Sequence, residues 1–197
     1  MACGYEQVKE REAARRFEIA ERCRELFEGK AAGFTLEIGC GHGHFLTQYA
    51  EAFPKKYCIG VDLLGKRLER AQKKKETKEL RNIDFLKAEA GEFLEELPGR
   101  VAIDEVFILF PDPWPKARHH RRRLIQPRFL SELAKRVRKG GVMYFRTDYE
   151  EYYEWVSDHV REHASWEIGE NIAWPFECET LFQRKMASYK SLKVKCI

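Results

Sequence analysis

No apolar stretch in the 197 residues is longer than a strand, so nothing here could cross a bilayer as a helix. The amino-terminal MACGYEQVKEREAARR lacks the apolar centre of a secretion signal. There is no CxxC pair. The six cysteines (Cys3, Cys23, Cys40, Cys58, Cys178 and Cys196) are scattered, and without a sign of export they read as free thiols. Cys40-x-His42-x-His44 matches no common zinc spacing and sits in a glycine-rich turn, so no metal is expected. Repeats, low-complexity tracts and linkers are also absent. The expectation is a cytoplasmic chain with no membrane partner, residues 1–197 forming a single domain and residues 1–30 an amino-terminal helical extension.

What is present is a balanced globular composition: 44% hydrophobic and 35% charged residues, with a net charge of +4. The positive charge is concentrated. Lys66 to Arg81 carries eight cations against three acids, and Lys116 to Arg123 carries five cations, two histidines and no acid. The first run has helical spacing and reads as a solvated face. The second shows no helical periodicity and follows directly on a lone carboxylate, Asp112.

Short apolar runs alternate with amphipathic ones. FTLEIG, YCIGVDLL, IDFLKA, DEVFILF and GVMYFRT read as five strands. HFLTQYAEAF, KRLERAQKKKETKEL, GEFLEEL and QPRFLSELAKRVRKG read as the helices between them, the last with Pro127 in its first turn and Gly140-Gly141 past its end. Glu6 to Phe27 and YEEYYEWVSDHV add flanking helices, and two weaker strands surround Trp166 and Leu192. This alternation implies an α/β fold, a mostly parallel sheet with helices on both faces.

LEIGCGHGHF, Leu36 to Phe45, joins the first strand to a helix through glycines 39, 41 and 43. Such a loop at the carboxyl edge of a parallel sheet is where these folds take nucleotides. The dinucleotide pattern G-x-G-x-x-G fails, because His44 stands where its third glycine would be. What remains is E-x-G-x-G-x-G, beginning at Glu37 and including Gly39. This resembles the first motif of S-adenosylmethionine-dependent methyltransferases, and a negative strand end suits a cofactor with sulfonium and ammonium groups. Asp62, nineteen residues beyond Gly43, ends the second strand where an acid can accept from ribose hydroxyls. By the same resemblance Glu89 and Ala90 contact the adenine.

The fourth strand runs into Pro111-Asp112-Pro113, a stiff extended turn. FPDPWPKARHHRRR, Phe110 to Arg123, resembles the signature of the bacterial tRNA (guanine-N7)-methyltransferase family. The likeness continues through FRTDYEEY (Phe145 to Tyr152) and, more loosely, ETLFQRK (Glu179 to Lys185), and spans nearly everything from Phe34 onward. It implies a Rossmann-like class I methyltransferase fold, with seven strands of which the last is antiparallel. It also implies S-adenosyl-L-methionine as cofactor and methyl transfer to N7 of a guanine in the tRNA variable loop, with tRNA rather than DNA as partner. Asp112 becomes the catalytic residue and a cofactor contact. Lys116, Asp148, Thr180 and Gln183 become substrate ligands, and Arg118 with Arg121 to Arg123 grips phosphates. Trp114 either stacks on a base or packs beneath the loop, and Asp148 alternatively caps the helix after it. The chain departs from the family at Gln183 and Glu89, where the family usually carries an acid and Asp. The alternatives are a methyltransferase of another RNA or a small molecule, and a non-catalytic tRNA-binding protein. The sequence fits a monomer or a homodimer equally.

Overall fold

The computed structural model describes residues 2–29, 33–178 and 188–197. In chain order its elements are α1 (Ala2–Phe27), β1 (Gly33–Ile38), α2 (His44–Ala52), β2 (Cys58–Asp62), α3 (Gly65–Thr77), β3 (Ile83–Lys87) and α4 (Ala90–Glu96). There follow β4 (Ala102–Leu109), a 3-10 helix (Ala117–Arg122), α5 (Pro127–Ala134), β5 (Val137–Thr147), α6 (Glu150–Arg161), β6 (Trp166–Ile168) and β7 (Lys190–Cys196). The sheet order is β3-β2-β1-β4-β5-β7-β6. Strands β1 to β5 pair in parallel, and β7 runs antiparallel to both β5 and β6.

Alternation along the strands divides the core. Phe34, Leu36 and Ile38 of β1 and Val106 and Ile108 of β4 pack with residues of α1, α4, α5 and α6. Phe107 and Tyr144 join Phe45, Leu46 and Tyr49 of α2 on the opposite face. Thr35, on that second face, donates to Glu105, which also holds Tyr49 and Lys56 at 2.6–2.9 Å. This polar cluster ties α2 to the early part of the sheet, away from the carboxyl edge. Amino-terminal helix α1 docks through Ile19, Cys23, Leu26 and Phe27, with Phe27 and Phe34 rings 4.9 Å apart. Cys23, Cys40, Cys58 and Cys196 are buried free thiols, and Cys178 is buried as well. Among the described residues no helix is long and apolar enough to cross a membrane.

Two boundaries differ from the sequence reading. The helix after Gln126 stops at Ala134, and Gly140-Gly141 lies within β5 rather than beyond a helix. The pairing explains it: Ile103 faces Val137 but Glu105 faces Val142, so β5 carries three extra residues at that point. Gly140 turns there with φ +84°, and a Cβ on Gly141 would stand 3.0 Å from the carbonyls of Arg138 and Asp104. The glycines serve a strand bulge, a use that mimics a helix stop when read from sequence. The second difference is the basic strip, which is a short 3-10 helix and not an irregular segment.

Candidate active site

The β1–α2 loop folds back on β2: the amides of Gly39 and Cys40 both donate to the Val61 carbonyl, at 2.8 and 3.1 Å. Its glycines have separate roles. A Cβ on Gly43 would lie 2.8 Å from Ala71 Cβ and 2.9 Å from Phe85 Cζ, so this glycine allows α2 to approach α3 and β3 closely. Gly39 (φ +75°) and Gly41 (φ +52°) face open space, with nothing within 4 Å of an added Cβ. They leave a bare backbone rim at the sheet's carboxyl edge. Asp62 fixes that rim, since Oδ2 accepts from the Gly41 amide at 2.9 Å and Oδ1 from the Leu64 amide at 2.8 Å.

Glu37 points to the α2 side and is 4% exposed, and its Oε2 is buried with no hydrogen-bond partner. Burial pushes its carboxyl up to about 8, and the Asp62 charge adds to this while the Leu46 amide opposes it. An orphaned carboxylate oxygen beneath an open glycine rim fits a cationic ligand group with hydrogens to donate. Because its pKa in the fold exceeds the unfolded value, the folded chain retains a proton that the unfolded chain releases. The stability this provides is complete below the unfolded pKa and is lost as pH rises towards about 8. Denaturant midpoints measured from about pH 5 to 8 should therefore fall more steeply for the unaltered chain than for Glu37→Gln. Parallel curves would mean Glu37 is ionised throughout.

Glu89 is exposed and caps α4 through the Glu92 amide at 3.0 Å, and Ala90 is buried behind it. Glu89 ends the short connection after β3 and Ala90 opens α4, on the same sheet edge as Asp62.

At the end of β4 the Phe110 amide makes a final bond to the Arg146 carbonyl at 2.8 Å, and then the backbone turns sharply. Phe110 and Trp114 adopt φ +53° and +46°, left-handed values that cost bulky residues on the order of 1–3 kcal/mol each. Between them Pro111-Asp112-Pro113 presents Asp112 to solvent, and among the described residues its carboxylate has no hydrogen bond or ion pair. Ile38 and Ile108 are register partners, so the Asp112 turn and the glycine loop leave adjacent strands.

Arg123 supports that turn, which corrects its placement among phosphate-gripping residues. It is 2% exposed, donates Nε to the Pro113 carbonyl and Nη2 to Glu151 Oε1, both at 2.9 Å, and lies over the Tyr152 and Trp155 rings. The 3-10 helix turns it inward while Lys116, Arg118, Arg121 and Arg122 remain exposed. Trp114 is packed by its own loop, with the Arg122 guanidinium 5.0 Å above its ring and His119 edge-on at 5.8 Å.

Asp148 is exposed just past β5 and does not cap α6; Thr147 Oγ1 accepts from the Tyr149 amide instead, at 3.1 Å. Thr180 and Gln183 lie outside the described residues. Arg146 had no role in the sequence reading. It is 4% exposed at the end of β5, donates to Ser191 at 3.0 Å and Glu177 at 2.6 Å, and sits 3.6 Å from the Trp174 ring centre. It anchors the segment leading towards Thr180. The available signal was a cation inside the otherwise apolar VMYFRT strand.

A family model described as "Putative methyltransferase" matches residues 31–193. The tRNA (guanine-N(7)-)-methyltransferase of Caulobacter vibrioides is 35% identical over 144 residues, covering 73% of this chain and 63% of that protein. The enzyme of that name from Halorhodospira halophila is 39% identical over 140 residues, covering 71% of this chain and 60% of its own length. The matched region thus spans about 60% of these curated relatives. The crystal structure of NSun6 from Pyrococcus horikoshii superposes with a TM-score of 0.63 at 15% identity, over 90% of this chain and 50% of that one. The architecture is the Rossmann-like class I methyltransferase fold. With the family model covering most of its length, the chain belongs to this methyltransferase family.

Proposed function

We propose that the protein is a tRNA (guanine-N7)-methyltransferase, moving a methyl group from S-adenosyl-L-methionine to N7 of a guanine in the variable loop. The observation that carries the reading is Asp112, held without a partner on a strained turn beside an open glycine loop. The named relatives supply the reaction class.

Glu37 would hold a cationic part of the cofactor, the Gly39–Gly41 rim its chain, Asp62 the ribose hydroxyls, and Glu89 with Ala90 the adenine side. When bound, the cofactor supplies an electrophilic methyl on a sulfonium. Guanine N7 carries an in-plane lone pair and no proton at neutral pH, so this chain need not provide a base. Its contribution is placement and charge. Asp112 accepts from the guanine's Watson–Crick edge and stabilises the cationic purine that results. Lys116, Arg118, Arg121 and Arg122 take phosphates around the target and orient it without reading sequence. Asp148, with Thr180 and Gln183, completes the base pocket. Labelled cofactor incubated with unmodified tRNA tests the reading, with 7-methylguanosine expected in the digest. Bound tRNA without label would favour a non-catalytic binding protein.

A further inference from the structure

Helix α3 carries cations all along it, and they are not treated alike. Lys75 is neutralised by Asp84 at 2.7 Å, and Lys78, just past the helix end, pairs with Glu51. Lys66, Arg70 and Lys73, spaced i, i+4 and i+7, share an exposed face, and none of their side chains makes a hydrogen bond or ion pair among the described residues. Glu69 stands one turn before Lys73, yet no ion pair joins them among the described residues. Arg67 adds to this face beside Asp62, at 3.9 Å. Lys74 ties the helix to the loop through the His42 carbonyl and approaches His44 Nε2 at 3.2 Å. The crowding registers on His42, whose pKa is lowered by burial and then by Arg70, Lys74 and Arg67.

Topology sets where this surface lies. Helix α3 leaves the end of β2, the glycine loop the end of β1 and the Asp112 turn the end of β4, and β1 stands between the other two strands. The loop is therefore flanked along the carboxyl edge by two cationic helices, α3 and the 3-10 helix. An uncompensated cluster of this kind costs self-repulsion, which a polyanion relieves.

We propose that the Lys66–Arg70–Lys73 face of α3 is a second phosphate-binding surface for the same RNA, so that the strand crosses the cofactor loop and is held on both sides. This rests on the tRNA reading above. It replaces the solvated-face interpretation of the Lys66–Arg81 run.

The test is tRNA affinity across a potassium chloride series for the unaltered chain, for Arg70→Gln with Lys73→Gln, and for the control Lys78→Gln. Cofactor affinity, measured calorimetrically, serves as the check on folding. The double variant should bind on the order of tenfold more weakly near 0.1 M salt, with a log–log slope shallower by roughly 1.5. The control and all cofactor affinities should stay within about twofold. A double variant matching the unaltered chain, or a control losing as much, would overturn the second surface and leave the tRNA reading standing. Failure of the unaltered chain to bind tRNA at all would overturn both.

Discussion

Replacing Asp112 with Ala should slow methyl transfer to tRNA by about 10²–10³-fold, the usual effect of removing a preorganised charge at the reacting centre. Its effect on tRNA affinity should be much smaller. Two aromatic residues in left-handed conformation and two prolines hold Asp112 out from the end of β4, and no described residue uses its carboxylate. A side chain so exposed contributes little to folding, so the substitution isolates its part in the reaction. Phosphate contacts through Lys116, Arg118, Arg121 and Arg122 remain, and these carry most of the binding free energy. Single-turnover rates and equilibrium binding measured on the same variant separate the two roles. Equal losses in both would make Asp112 a binding residue only.

Arg123→Ala should cost about 2 kcal/mol of stability, from the packing lost against Tyr152 and Trp155 and the Pro113 carbonyl left without its donor, with little from the half-exposed Glu151. Its neighbour sets the contrast: Arg122→Ala, on the surface, should stay within about 0.5 kcal/mol. Arg123 packs its guanidinium against Tyr152 and Trp155 while satisfying the Pro113 carbonyl and Glu151. Removal leaves a cavity against α6, strands a carbonyl, and releases the strained turn that presents Asp112. Arg123→Lys should recover only part of the loss, because an ammonium cannot stack on both rings and reach both acceptors. Denaturant midpoints at constant m-value report this directly. A loss below about 1 kcal/mol for Arg123→Ala would place Arg123 with the phosphate-binding cations after all.

Much of this architecture is legible because strand and helix periods differ. The runs around Leu36, Ile59, Phe85 and Phe107 became β1 to β4, and the acids before and after the glycines came out at one edge. The failures have specific causes. Gly140-Gly141 looks like a helix stop until the ladder opposite Ile103 and Glu105 reveals a bulge. Arg123 is indistinguishable from Arg121 and Arg122 by residue type, and only the turn of a short 3-10 helix buries one of the three. Glycines 39, 41 and 43 read as one motif, although two face open space and the third resolves a packing conflict with Ala71 and Phe85. Arg146 lies inside an apolar strand, and its purpose depends on Trp174, Glu177 and Ser191, which are distant in sequence.

The most direct test of the central claim compares labelled methyl incorporation into unmodified tRNA with incorporation into the same tRNA carrying 7-deazaguanine at the variable-loop site. Labelling of the first and none of the second is the result this account predicts. Equal labelling of both would contradict it, moving the methyl to an atom other than guanine N7.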